Sequence, residues 1–303
     1  MTPCVGILLS TYNGARFLPA QLDSFRHQTE PGWILFWRDD GSTDGTPAIM
    51  RAFATECGPE RVVTVESPEH LGASGSFFAL LRAAAGSGLP LAFADQDDCW
   101  LPEKLAWALE ALAGVAGPAL YCSRQMLADA ALRPIHPSAP LQRAPGFPAA
   151  LTQNIATGCT MLLNPAAVDL VVQSRPPEGT LHDWWSYMLV AAAGGRVIAD
   201  DRATLLYRQH GSNLVGAPPS RWHRARAALH RGPAAYMGLL RAHVAALLDH
   251  QTLLTADAYQ ALRVLDRALQ GGMTARLHAL RLTGLERQTR LETALFRWWF
   301  LIG

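Results

Sequence analysis

Four strand-like segments, at residues 5–10, 33–37, 61–65 and 89–94, set the limits on this fold. The runs at 5–10 and 89–94 are continuously apolar and too short for helices, so they predict buried strands, and 33–37 and 61–65 predict two more strands beside them. Between them the spacing of Phe17, Leu22 and Phe25 predicts one helix, and residues 47–56 and 74–85 predict two more. Strand–helix alternation with short connections points to an α/β fold with a mostly parallel, Rossmann-like sheet covered by helices. Ligands of such sheets bind beyond the carboxyl ends of the strands. Three polar clusters fall there: Thr11-Tyr12-Asn13, Asp39-Asp40 and Asp95-Gln96-Asp97-Asp98.

The last cluster crowds three carboxylates into four residues after a buried strand. Like charges so close repel one another unless a cation neutralises them. Oxygen ligands on a strand-end loop suit Mn²⁺ or Mg²⁺, the latter usually shared with substrate phosphates. The alternative is a solvated acidic turn that caps the helix opened by Pro102.

Half of the 303 residues are hydrophobic, enough for a substantial core, and the net charge of +1 gives no reason to expect nucleic-acid binding. The five cysteines are scattered without C-x-x-C spacing, which fits a reducing compartment and no zinc site. The first residues lack a basic leader, and no apolar stretch is long enough to span a bilayer, so a cytoplasmic protein is expected.

The segments Leu9-Ser10-Thr11-Tyr12-Asn13-Gly14, Arg38-Asp39-Asp40-Gly41-Ser42-Thr43-Asp44-Gly45-Thr46 and Asp95-Gln96-Asp97-Asp98-Cys99-Trp100-Leu101-Pro102 are followed by two more. These are Leu181-His182-Asp183-Trp184-Trp185 and Tyr207-Arg208-Gln209-His210-Gly211-Ser212-Asn213. Together they resemble inverting family 2 glycosyltransferases of the GT-A fold, in particular the bacterial rhamnosyltransferase type that builds surface polysaccharides.

The resemblance implies a nucleoside-diphosphate sugar as donor, with dTDP-L-rhamnose the leading candidate, and a glycan or lipid-linked glycan as acceptor. It assigns Thr11, Tyr12, Asn13 and Asp40 to the nucleotide, and Gly72 to a glycine-rich stretch that approaches it. Asp95 and Asp97 match a metal-binding D-x-D, with His210 near the metal and Arg208 near the diphosphate. Asp183 matches the general base, and it also suits an N-terminal helix position. Trp184 and Trp185 either stack on acceptor sugar or belong to the core. A UDP-hexose donor and a non-catalytic sugar-nucleotide-binding scaffold remain the rival readings.

The resemblance places a GT-A catalytic domain at residues 1–217. Residues 218–303 carry helical spacing with few strand signals and many arginines, and they end in Phe296-Arg297-Trp298-Trp299-Phe300-Leu301-Ile302. Arginines beside aromatics suit an interfacial helix on an anionic membrane. Docking onto the catalytic domain or onto the partner of a homodimer fits the same residues.

Overall fold

The computed structural model describes residues 4–67, 69–211, 221–282 and 284–303. Its central strand β1 (Val5–Thr11) lies parallel to both β2 (Trp33–Asp39) and β4 (Leu91–Ala94), and β3 (Val62–Thr64) extends the sheet beyond β2. The two-residue period of β1 divides its side chains between two cores. Ile7 and Leu9 pack on one face with α1 (Leu18–Arg26), α2 (Thr46–Cys57) and α4 (Lys104–Leu112). Leu8 faces the other way, toward α3 (Gly72–Ala85), α5 (Pro165–Val172) and α6 (His182–Ala192).

After β3 the chain crosses back and adds β4 on the opposite side of β1, giving the order β3-β2-β1-β4. That reversal opens a crevice beyond the carboxyl ends of β1 and β4. The sheet then becomes mixed. β8 (Leu162–Leu163) runs antiparallel to β4 and to β6 (Ala119–Ala128). β9 (Arg196–Arg208) runs parallel to β6, and β5 (Cys99–Trp100) pairs antiparallel with its far end. β7 (Pro134–Pro137) pairs with β6.

Several expected boundaries move for local reasons. The strand expected at residues 89–94 begins at Leu91, after Pro90, which has no N–H to give to a ladder. The ten-residue β6 opens a Pro-rich stretch, and its second half is half-exposed.

Helices α7 (Arg221–Asp249), α8 (Ala256–Gln270), α9 (Met273–Leu282) and α10 (Arg290–Ile302) follow. The expected boundary at 217/218, with Pro218, Pro219, Ser212 and Asn213, lies outside the described residues. Met237 and Leu240 of α7, Leu262 and Leu265 of α8, and Phe296 and Phe300 of α10 join the core that contains α3, α5 and α6. Polar ties cross the same boundary. Thr180 Oγ1 and His243 Nε2 lie 3.0 Å apart, and Tyr236 OH donates to the Thr152 carbonyl at 2.7 Å. One face of α10 therefore docks on the rest of the chain. No described helix is long and apolar enough to cross a membrane.

Candidate active site

The first two strand-end loops are laced together. Thr11 Oγ1 donates to Asp39 Oδ1 at 2.8 Å and accepts from Trp37 Nε1 at 2.9 Å. Asn13, at a positive φ of 48°, accepts the Thr43 N–H on its Oδ1. The Gln96 amide then ties the third loop to the first: its Oε1 accepts the Tyr12 N–H at 2.9 Å and its Nε2 donates to the Tyr12 carbonyl at 3.0 Å. These bonds leave the Tyr12 ring half exposed at the mouth of the crevice, with its centroid 5.2 Å from that of His70.

Asp40 is buried, and both of its oxygens are engaged inside the protein. Oδ1 takes the Arg38 guanidinium and the Leu71 N–H, and Oδ2 takes the Gly72 N–H at 2.8 Å. Burial raises the Asp40 carboxyl, but these donors outweigh it and hold the group below the usual carboxylate range. Gly72 can enter this arrangement because its φ of 67° is easy only for glycine. The direct base contact expected of Asp40 is thus occupied by protein donors here, and Asp40 shapes the loop that flanks the crevice.

The acidic loop turns beneath the carboxyl end of β4. Ligand atoms of Asp95, Asp98 and Cys159 lie within 4.8 Å of one another. Asp97 Oδ2 sits 2.8 Å from His210 Nε2, whose ring stacks on Phe17. Burial, then Asp97 and Asp183, push the Asp95 carboxyl up; burial, then Asp95 and Asp97, push Asp98 well up. The Asp98 Oδ2 atom is buried with no hydrogen-bond partner. Burial and the neighbouring Asp98 and Asp95 also push the Cys159 thiol up, so with no cation beside it the sulfur stays protonated. The oxygen donors gathered here are the carboxylates of Asp95 and Asp98, which fit Mn²⁺ or Mg²⁺; the Asp97–His210 pair is not part of that cluster.

Arg208 lies under this loop rather than facing the crevice. Its Nε donates to the Asp97 carbonyl at 2.7 Å and its Nη1 to the Ala130 carbonyl at 2.6 Å. The guanidinium braces the backbone of the acidic loop. Lys104, on α4, is likewise buried, donating to the Cys159 carbonyl at 2.9 Å, and burial lowers its ammonium to about 8.

Asp183 enters from the other core, in the first turn of α6, where the helix dipole favours a negative charge. Its Oδ2 accepts the Gly158 N–H at 2.9 Å. Because Cys159 follows Gly158, this one backbone segment links Asp183 to the acidic loop. A side chain at 158 is excluded: a Cβ there would stand 2.7 Å from His182 Nε2. The His182 ring is held between Phe77 and Phe93, and burial lowers it to about 4, so it is neutral at ordinary pH.

The two tryptophans part company. Trp185 is fully buried and its indole donates to Ser174 Oγ at 2.7 Å, so it is core and not an acceptor contact. Trp184 is half-buried, with its indole N–H on the Ala150 carbonyl. Sequence reasoning missed Gln96, Gly158 and Cys159, whose partners are distant in sequence, and Arg38, which pairs with Asp40 two residues on and also reaches Ser76 and the Glu69 carbonyl. For Gln96, its place between two aspartates of the acidic loop was the available signal.

The sequence profile of Glycosyl transferase family 2 matches residues 7–153. Over 219 residues the chain is 26% identical to the dTDP-rhamnosyl transferase RfbG of Shigella flexneri, covering 69% of this chain and 74% of that protein. It superposes on S. aureus TarS 1-349, solved with UDP-GlcNAc, with a TM-score of 0.59 and 15% identity, over 89% of this chain and 72% of that one. It also superposes on the mannosyltransferase PcManGT from Pyrobaculum calidifontis, solved with GDP-Man and Mn²⁺. There the TM-score is 0.51 and the identity 19%, over 99% of this chain and 85% of that one. The two superpositions establish a GT-A fold. With a strand-end acidic site on that fold, the protein is a nucleotide-sugar-dependent glycosyltransferase. Its N-terminal half, residues 7–153, is what matches the glycosyl transferase family 2 profile.

Proposed function

We propose that the protein transfers one sugar, with inversion, from a nucleoside-diphosphate sugar to a hydroxyl of a cell-surface glycan precursor. The observation that carries this reading is the convergence of Asp183 with the Asp95–Asp98 loop at the β1/β4 crevice, joined through Gly158 and Cys159. The rhamnosyl transferase relative favours dTDP-L-rhamnose as donor.

In this reading Tyr12 and the Asp40-ordered loop at Leu71-Gly72 flank the nucleotide. Asp95 and Asp97, with His210, hold Mn²⁺ or Mg²⁺; Asp98 adds buried carboxylate beneath them. When bound, the ion offsets the charge that builds on the departing diphosphate. Asp183 takes the proton of the acceptor hydroxyl as that oxygen attacks the anomeric carbon. The bond to the diphosphate breaks on the opposite face, so the configuration inverts without a covalent sugar intermediate. The Gly158 N–H and the helix N-terminus hold the Asp183 carboxylate in place for that step. Trp184 is the remaining aromatic candidate for the acceptor side.

The test is nucleoside diphosphate release from dTDP-L-rhamnose and from UDP-hexoses, in Mn²⁺, with a lipid-linked glycan extract as acceptor. Asp183→Asn should lower the rate by about 10²–10⁴-fold while donor still binds. An undiminished rate in that variant overturns the base assignment. Release from a UDP-hexose alone would replace the rhamnose donor.

A further inference from the structure

The large hydrophobic side chains left exposed by this fold collect on its last two helices. Leu291 (77% exposed), Trp298 and Ile302 (52% each) lie on α10, and Met273 and Leu277 on α9. Elsewhere among the described residues only Tyr12, Val63 and Ile135 are comparable. On α10 the spacing Leu291, Leu295, Trp298, Ile302 draws one narrow stripe along the outer face. The opposite face, Phe296, Trp299 and Phe300, is the one buried in the protein. Docking to the rest of the chain therefore accounts for half of this amphipathic helix and leaves the other half unexplained.

The two helices form a hairpin. Arg276, in the first half of α9, donates to the carbonyls of Phe300 and Leu301 at the end of α10. Met273 and Leu277 thus lie toward the end of the hairpin that carries Trp298 and Ile302, and exposed Arg281 and Arg290 lie toward the connecting end. The nearby acids are already engaged: Glu286 pairs with Arg143 and Arg297, and Glu292 closes the capping box of α10 with Thr289. The exposed charge of the hairpin is accordingly positive.

We propose that the outer face of the α9–α10 hairpin docks on an anionic lipid surface, with Trp298, Leu291 and Ile302 entering the headgroup boundary and Arg281 and Arg290 meeting lipid phosphate. Thirteen residues of α10 are too few to span a bilayer, so the helix lies along it. A second copy of the chain suits this face less well, since a two-fold contact sets the face against one of the same net positive charge. The proposal does not depend on the chemistry of the strand-end site.

The test is flotation of the full chain with phosphatidylcholine vesicles, with and without phosphatidylglycerol, beside sedimentation velocity. Binding should require the anionic lipid and weaken with salt. Trp298→Ser with Leu291→Ser should weaken it by about tenfold or more, and Arg281→Ser with Arg290→Ser should remove its dependence on anionic lipid. Nucleoside diphosphate binding should not change in either variant. No vesicle binding, or equal binding by wild type and the Trp298/Leu291 variant, overturns the proposal. So does a dimer that the Trp298/Leu291 variant dissolves, which would make the face a contact between copies.

Discussion

His210 Nε2 lies 2.8 Å from Asp97 Oδ2, although 113 positions separate the two residues. The segment just after β9 supplies the histidine and the loop after β4 supplies the aspartate. Phe17 stacks on the imidazole and receives the Arg208 guanidinium 4.7 Å from its ring centre, so the pair is held by three separate parts of the chain. His210→Ala should weaken Mn²⁺-supported nucleotide binding by about 10–100-fold, whether the imidazole ligates the ion or orients Asp97. Calorimetric titration with and without Mn²⁺ measures this; unchanged affinity would remove His210 from the site.

Gly158→Ala tests the wall behind Asp183. The added Cβ would stand 2.7 Å from His182 Nε2, so either that packed ring or the Gly158 backbone whose N–H holds Asp183 must shift. A displacement of about 1 Å should lower kcat by about 10²-fold with little change in donor affinity. Parallel loss of donor affinity would mean that the substitution disturbs the whole crevice.

Arg38 and Asp40 form a buried ion pair that also holds the backbone at Glu69, Leu71 and Gly72. Arg38→Met strands the Asp40 carboxylate, and breaking such a pair costs about 3–5 kcal/mol. Urea unfolding measures the loss. A change below about 1 kcal/mol would show that the loop reorganises around Asp40 at small cost.

Acid should destabilise the fold through His182 and His243, both lowered to about 4 by burial. In the unfolded chain these imidazoles take up protons near pH 6.5. Their contribution to stability is complete above that pH and is lost as pH falls toward about 4, at up to about 1.4 kcal/mol per pH unit for each residue. The raised Asp95 and Asp98 carboxyls act in the opposite direction, so the histidine contribution is read as a difference: going from pH 7 to 5 in chemical unfolding, His182→Gln should lose less stability than wild type. An identical slope in the variant would show that His182 is not a source of the acid sensitivity.

The parallel half of the sheet was legible because strands covered on both faces must be continuously apolar, as Ile7, Leu8 and Leu9 are. β6 was not, because its second half, from Ser123 to Leu127, is neither fully buried nor regularly alternating. β5 was hidden inside the acidic motif itself, as Cys99 and Trp100. Local sequence marked Asp95, Asp97 and Asp183 by charge and position. It had no means of showing that Asp40 receives the Leu71 and Gly72 N–H groups, that Arg208 turns to the Asp97 carbonyl, or that Trp185 points inward to Ser174. Those orientations depend on which elements the topology brings together, and single-sequence spacing does not carry that information.

The most direct test of the account is calorimetric binding of dTDP and UDP, each with and without Mn²⁺, to wild type, Asp97→Ala and Asp183→Asn. The account predicts nucleotide binding that needs Mn²⁺, is lost in Asp97→Ala and survives in Asp183→Asn. Binding that ignores the metal and persists in Asp97→Ala, or no binding of either nucleotide by folded wild type, would contradict it.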